Sequence, residues 1–131
     1  MTRPPVRLLV AGLSVATAAL AVPAGAQPLP TGAVEVLAGP QAPATGYLTQ
    51  QVFSTAGSVV TFTNLDQTSH DVTSRATKTV IVKGKKRQRP LFTGGANGGG
   101  SAALSTASLK PGTYAFYCSL HPGMTGTLTV Q

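Results

Sequence analysis

The chain reads as an all-β domain, a sandwich or barrel, preceded by an export signal. Three observations predict this. Short runs rich in Val, Thr, Phe and Tyr recur at regular spacing between Gly and Pro. No stretch beyond residue 26 carries a convincing 3.6-residue apolar period. The first 26 residues differ in composition from everything after them.

Taken in order, Arg3 and Arg7 precede an apolar run from Leu8 to Val22, and Ala24-Gly25-Ala26 places small residues before Gln27. This is the pattern of a secretory signal peptide, residues 1–26, cleaved after Ala26. The run is about 15 residues and ends at Pro23, whereas a spanning helix needs about 20. No arginine pair is present, so export of the unfolded chain is expected, with any metal acquired outside the cytoplasm. The expected location is periplasmic or secreted, and residues 27–131 form one domain.

Ala33 to Leu37 alternates as a first strand, and Gly39 to Pro43 is a turn or loop. Tyr47 to Asp66 holds two strands broken at Ala56-Gly57; the second, Ser58 to Asn64, is rich in β-branched and aromatic residues. His70 to Ser74 and Thr79 to Val82 are further strands. The stretch from Lys83 to Pro90 is expected as a basic loop, and Thr93 to Ser101 as a glycine-rich linker within the domain. Ala102 to Leu109 is a weak strand, Lys110-Pro111-Gly112 a turn. Thr113 to Cys118 and Thr125 to Val130 are the last strands.

Charge is unevenly spread. Six of the ten Lys and Arg residues fall between Lys78 and Arg89, and only Glu35, Asp66 and Asp71 oppose them. The cluster Lys83, Lys85, Lys86, Arg87 and Arg89 reads as a solvated loop, or as a docking surface for an acidic redox partner or an anionic membrane surface. Nucleic acid is not expected: no aromatic residues interleave the charges as a stacking platform requires.

The segment "YCSLHPGMTG" carries the chemistry. It contains the only cysteine, Cys118, with His121, one of two histidines, and Met124, the only methionine besides Met1. With one cysteine, the chain forms no internal disulfide; the thiol is an intermolecular bridge, a reactive group or a metal ligand. Strand alternation puts Tyr114, Phe116 and Cys118 on one face. If that face is core, Cys118 points inward where the strand ends, and the turn through Ser119 to Gly123 brings His121 and Met124 back over its sulfur. The remaining imidazole is His70, ending "NLDQTSH". One Cys, two His and one Met are the ligand set of a mononuclear copper electron-transfer site: Cys118, His70 and His121 in a plane, Met124 on the axis. Zinc fits less well, since structural zinc rarely takes a thioether. A binuclear copper site would want a second cysteine. A catalytic Cys118–His121 pair would need an orienting group and an oxyanion hole, and neither has a signature here. The chain is not expected to be an enzyme.

The segment "TYAFYCSLHPGMTGTLTV" resembles the C-terminal hairpin of the cupredoxins, and its Cys-x₂-His-x₂-Met spacing is most similar to the short amicyanin loop, plastocyanin's being longer. "GSVVTFTNLDQTSHDV" resembles the family segment that ends in the first histidine ligand. The similarity covers roughly Val34 to Ser74 and Ala102 to Gln131. It implies a Greek-key β-sandwich of seven to eight strands, one copper ion in a type 1 site, and single-electron transfer as a monomer. It also implies electron exchange through the His121 ring edge, framed by Leu120 and Pro122, with Tyr117 as a second route or simply a sheet-packing residue. Two positions depart from the family. Ser69 and Asp71 flank His70 where the family usually has Pro and Asn. The family's Asn ties the two ligand loops together; Asp71 would do so only by accepting hydrogen bonds, for instance from Ser119. Its carboxylate would also favour Cu(II) and lower the reduction potential. The alternative function is a copper carrier or storage protein without redox cycling.

Overall fold

Two-residue alternation of buried and exposed side chains builds the strands, seen in a computed structural model that describes residues 34–131. The expected signal peptide, residues 1–26, lies outside the described residues. Strands β1 (Glu35–Ala38), β2 (Gln51–Ser54), β3 (Val59–Asn64), β4 (His70–Ser74), β5 (Thr77–Val82), β6 (Lys85–Pro90), β7 (Thr93–Ala96), β8 (Ser101–Ser105), β9 (Gly112–Tyr117) and β10 (Thr125–Val130) follow in order, with one helical turn, α1 (Ala42–Thr45), after β1. One sheet has the order β1-β3-β8 and the other β2-β10-β9-β4-β7. The pairs β1–β3 and β2–β10 are parallel and the rest antiparallel. These eight strands make the all-β sandwich that the sequence predicts.

The core lies between the sheets. In β3 the alternation buries Val60, Phe62 and Asn64; in β4 it buries His70, Val72 and Ser74; in β9 it buries Phe116, with Cys118 buried just beyond the strand's end. Tyr47 closes this layer. Its ring meets Phe116 edge-on at 5.4 Å and Phe62 at 6.3 Å, the geometry that ring quadrupoles favour. Thus the same alternation that packs the core delivers His70 and Cys118 to its end.

Two local expectations are corrected and one is extended. The turn or loop at Gly39 to Pro43 leads into the helical turn α1, which starts at Ala42 and runs to Thr45; Pro43 is tolerated there because first-turn N–H groups lack partners anyway. The glycine-rich stretch is not merely a linker: Thr93–Ala96 is β7, an edge strand paired with β4. Gly94 makes this pairing fit, because a Cβ there would lie 2.6 Å from Leu104 Cδ2 in the facing sheet.

The third concerns the basic segment, which is no loop. Lys85–Pro90 pairs with Thr77–Val82 as a separate two-stranded sheet. Lys83 (φ 50°) and Gly84 (φ 72°) turn the chain between them. Two consecutive positive φ values match the right-handed twist of the flanking strands, the usual requirement of a two-residue hairpin.

Candidate metal centre

His70, Cys118 and His121 converge. Cys118 Sγ stands 3.9 Å from His70 Nδ1 and 3.8 Å from His121 Nδ1, and the two Nδ1 atoms are 3.1 Å apart. The point equidistant from all three is about 2.1 Å from each, the length of a bond from a first-row metal to nitrogen and close to that for thiolate. The donor atoms therefore enclose a space of the size of one ion. No other cluster of this kind occurs among the described residues.

Each donor is held by protein groups. His70 is fully buried, and its outer nitrogen Nε2 sits 2.8 Å from Asp66 Oδ2 and 3.0 Å from Thr68 Oγ1. With Nε2–H donated to the carboxylate, the lone pair falls on Nδ1, the atom facing the cluster. Asp66 is itself fixed by N–H groups of Gln67 (2.8 Å) and Gln41 (3.2 Å) and by the Thr68 hydroxyl (2.9 Å). The His70 hydrogen bond, followed by that from the Gln67 N–H, holds the Asp66 carboxyl well below the usual carboxylate range. Asn64, buried beneath this loop, donates to the carbonyls of Thr68 (2.7 Å) and Ala96 (3.0 Å) and accepts from the Asp66 N–H (3.0 Å). The glycine-rich loop closes over it. Gly98 packs so closely that a Cβ would lie 2.6 Å from the Gln67 carbonyl oxygen.

Cys118 receives the Asp71 N–H at 3.4 Å. The Asp71 carboxylate accepts from the Ser119 N–H at 3.0 Å, from the Ser119 hydroxyl, and from the Thr73 hydroxyl at 2.7 Å. Asp71 thus bridges the two ligand loops as an acceptor only, across 48 residues of sequence. Tyr47 donates to the Asp71 carbonyl from below. Burial, with the charges of Cys118 and Asp71 adding to it, pushes the Tyr47 phenol far above its ordinary value, so it remains a donor. The loop from Cys118 to Met124 closes on itself: Cys118 N–H donates to Met124 O (3.0 Å) and Met124 N–H to His121 O (2.9 Å). Met124 is fully buried, His121 is half-buried, and Leu120 and Pro122 beside it are exposed.

Of the other residues singled out in the sequence, Tyr117 is half-buried with the Arg75 guanidinium 4.6 Å above its ring. Lys83, Lys85, Lys86, Arg87 and Arg89 lie on the separate hairpin and do not join the cluster. Asn64, Asp66, Thr68, Gly98 and Tyr47 escaped the sequence reading. One signal was available: Asp66 and His70 are four apart in a loop, with Thr68 between them.

A buried thiolate ligand, two imidazoles and a thioether at one end of a two-sheet β-sandwich define a cupredoxin with a type 1 copper site. The chain belongs to the plastocyanin/azurin family of copper binding proteins, whose family model matches residues 34–131. A purple cupredoxin from Nitrosopumilus maritimus superposes with a TM-score of 0.56 at 27% identity, covering 74% of this chain and 98% of that one. An amicyanin variant in its reduced Cu(I) form at pH 4 superposes with a TM-score of 0.53 at 22% identity, covering 79% and 87%. No curated protein matches the sequence. The donor set and the family agree on copper as the metal.

Proposed function

We propose that this protein is an exported, monomeric electron shuttle that passes single electrons between redox partner proteins and catalyses no reaction of its own. Residues 1–26 are its cleaved signal peptide, residues 27–131 its single domain, and the periplasm or the exterior its location. Copper, when bound, supplies the one-electron couple; the chain supplies the rest. Cys118, His70 and His121 would hold the ion with donor atoms already positioned by hydrogen bonds that exist without it, so little would rearrange between oxidation states. Met124 adds the weak thioether donor.

One observation carries the reading. His121 is the only partly exposed member of the cluster, and it opens at an end of the sandwich rimmed by exposed apolar side chains. Leu120 and Pro122 follow Cys118. Leu65 follows β3 and Leu48 packs beside Gly39 after β1, at the end to which both parallel strands run. An apolar rim around a ring edge suits brief docking with easy desolvation and no strong charge pairing. Tyr117 is a second exit, reached through the peptide bond to Cys118.

The test is to add Cu(II) to purified mature protein and record its visible and electron paramagnetic resonance spectra. A strong thiolate-to-copper band, lost in Cys118→Ser, is expected. Fast electron self-exchange together with slow copper loss to a chelator supports the shuttle. Rapid copper loss with slow electron exchange would instead make the protein a copper carrier or store.

A further inference from the structure

The β5–β6 hairpin sorts its side chains into two unlike faces. Residues directly opposite in an antiparallel pair share a face, and the face alternates along each strand. The register pairs Lys78 with Arg89, Val80 with Arg87 and Val82 with Lys85 on one side. It pairs Thr77 with Pro90, Thr79 with Gln88 and Ile81 with Lys86 on the other. The first face holds four cations around two valines. The second is mostly neutral, and its polar groups satisfy one another: Gln88 donates to Thr79 at 2.9 Å and accepts from Thr77 at 3.2 Å.

Nothing among the described residues neutralises the cationic face. The hairpin has no acidic residue, and the only ion pair among the described residues joins His70 to Asp66. Like charges placed opposite one another destabilise a strand pair, and a lone two-stranded sheet is marginal to begin with. A surface of opposite charge would relieve that repulsion.

We propose that this face is a docking surface for anionic phospholipid headgroups. Three features favour a lipid plane over an acidic protein. Both strands are exposed along almost their whole length, so the hairpin stands clear of the sandwich and a flat surface can reach it. Val82, 38% exposed near the tip, stands among the cations of this face and can enter the headgroup boundary beneath the charges. Moreover, β4 leaves the metal end at His70 and the hairpin opens beyond Ser74. At about 3.3 Å per residue, β4 carries the root of the hairpin roughly 13 Å along the strand from His70, so this face is set apart from the ligands and fits a surface that takes no part in electron exchange.

The copper-loaded protein is mixed with vesicles of phosphatidylglycerol and phosphatidylcholine, and with pure phosphatidylcholine, and binding is measured by co-sedimentation. Binding only to the anionic vesicles, weakening as salt rises, is expected. The combined variant Lys78→Gln, Lys85→Gln, Arg87→Gln, Arg89→Gln should bind several hundredfold more weakly, at about fivefold per cation. A control with the same change in net charge on the opposite face (Thr77→Glu, Thr79→Glu, Lys86→Gln, Gln88→Glu) should stay within about tenfold of wild type. Unchanged copper spectra show that both variants keep the sandwich. Equal losses in the two variants overturn the assignment of the face. Binding to poly-glutamate without binding to anionic vesicles overturns the lipid in favour of an acidic protein.

Discussion

Asp66→Asn isolates what a carboxylate does for a copper ligand from the far side of the imidazole. The change keeps the side chain's shape and leaves an oxygen to face His70 Nε2, 2.8 Å from it at present. It removes the charge, and hydrogen bonds between neutral groups are about half as strong as charge-assisted ones. His70 Nδ1 then becomes a poorer electron donor. Loss of such an outer partner typically costs tenfold to a hundredfold in metal affinity. Cu(II), with the higher charge, bears more of that loss than Cu(I). If Cu(II) bore all of it, the reduction potential would rise by about 60 to 120 mV, at 59 mV per tenfold for one electron. Sharing with Cu(I) lowers this, so a rise of about 30 to 100 mV is expected. Spectroelectrochemistry measures the potential, and chelator competition measures each oxidation state's affinity. Thr68→Val is the companion, because it removes the 3.0 Å contact to the same nitrogen but leaves the charge, and should move the potential much less. A potential that falls in Asp66→Asn, or matches that of Thr68→Val, would refute the reasoning.

Two further outcomes follow from the groups around the site. Gly98→Ala puts a methyl group 2.6 Å from the Gln67 carbonyl oxygen and 2.8 Å from that of Asp66, backbone atoms that cannot rotate away. A loss of about 1–3 kcal/mol in urea unfolding of the apoprotein is expected, with weaker copper binding as the His70 loop shifts; an unchanged midpoint would show that the loop yields freely. Tyr47→Phe leaves the Asp71 carbonyl without its buried donor, at a cost of about 1–3 kcal/mol near neutral pH. The raised pKa of Tyr47 means that its stabilisation is complete below the unfolded value of about 10 and is lost as pH climbs beyond it. The gap in urea midpoint between wild type and variant should therefore narrow in strong alkali, and parallel curves would contradict the assignment.

Much of this was legible because the decisive residues are scarce and the strand period is simple. One cysteine, two histidines and one spare methionine leave little choice of donors, and alternation in "TYAFYC" and "HDVTS" already turns Cys118 and His70 the same way as the core. The basic hairpin was hidden because lysine and arginine have low strand propensity and Lys83-Gly84 lacks the usual Asn or Asp of such a turn. Its register only becomes visible once Val80, Ile81 and Val82 have cationic partners. Strand β7, "TGGA", was hidden because glycine carries no pattern. It forms because β4 offers an unpaired edge and the facing Leu104 leaves no room for a side chain at Gly94. The Asp66 contact to His70 depends on how a loop folds back, which spacing suggests and only coordinates fix.

The distribution of acids gives the molecule a direction. Of the three in the chain, Asp66 and Asp71 both serve the ligand loops, one behind His70 and the other between Asp71's own strand and Ser119. Six of the cations sit on the hairpin, beyond the opposite end of β4. A chain with a formal charge of +7 thus keeps its metal end locally acidic and its hairpin basic. In the field of an anionic surface this separation of charge exerts a torque that draws the hairpin down and turns the metal end outward. His121 and its apolar rim would then face away from the surface, where a diffusing partner can reach them. Docking by one end and electron exchange at the other, as proposed, would then not compete, because the residues for each share no strand face and no hydrogen bond.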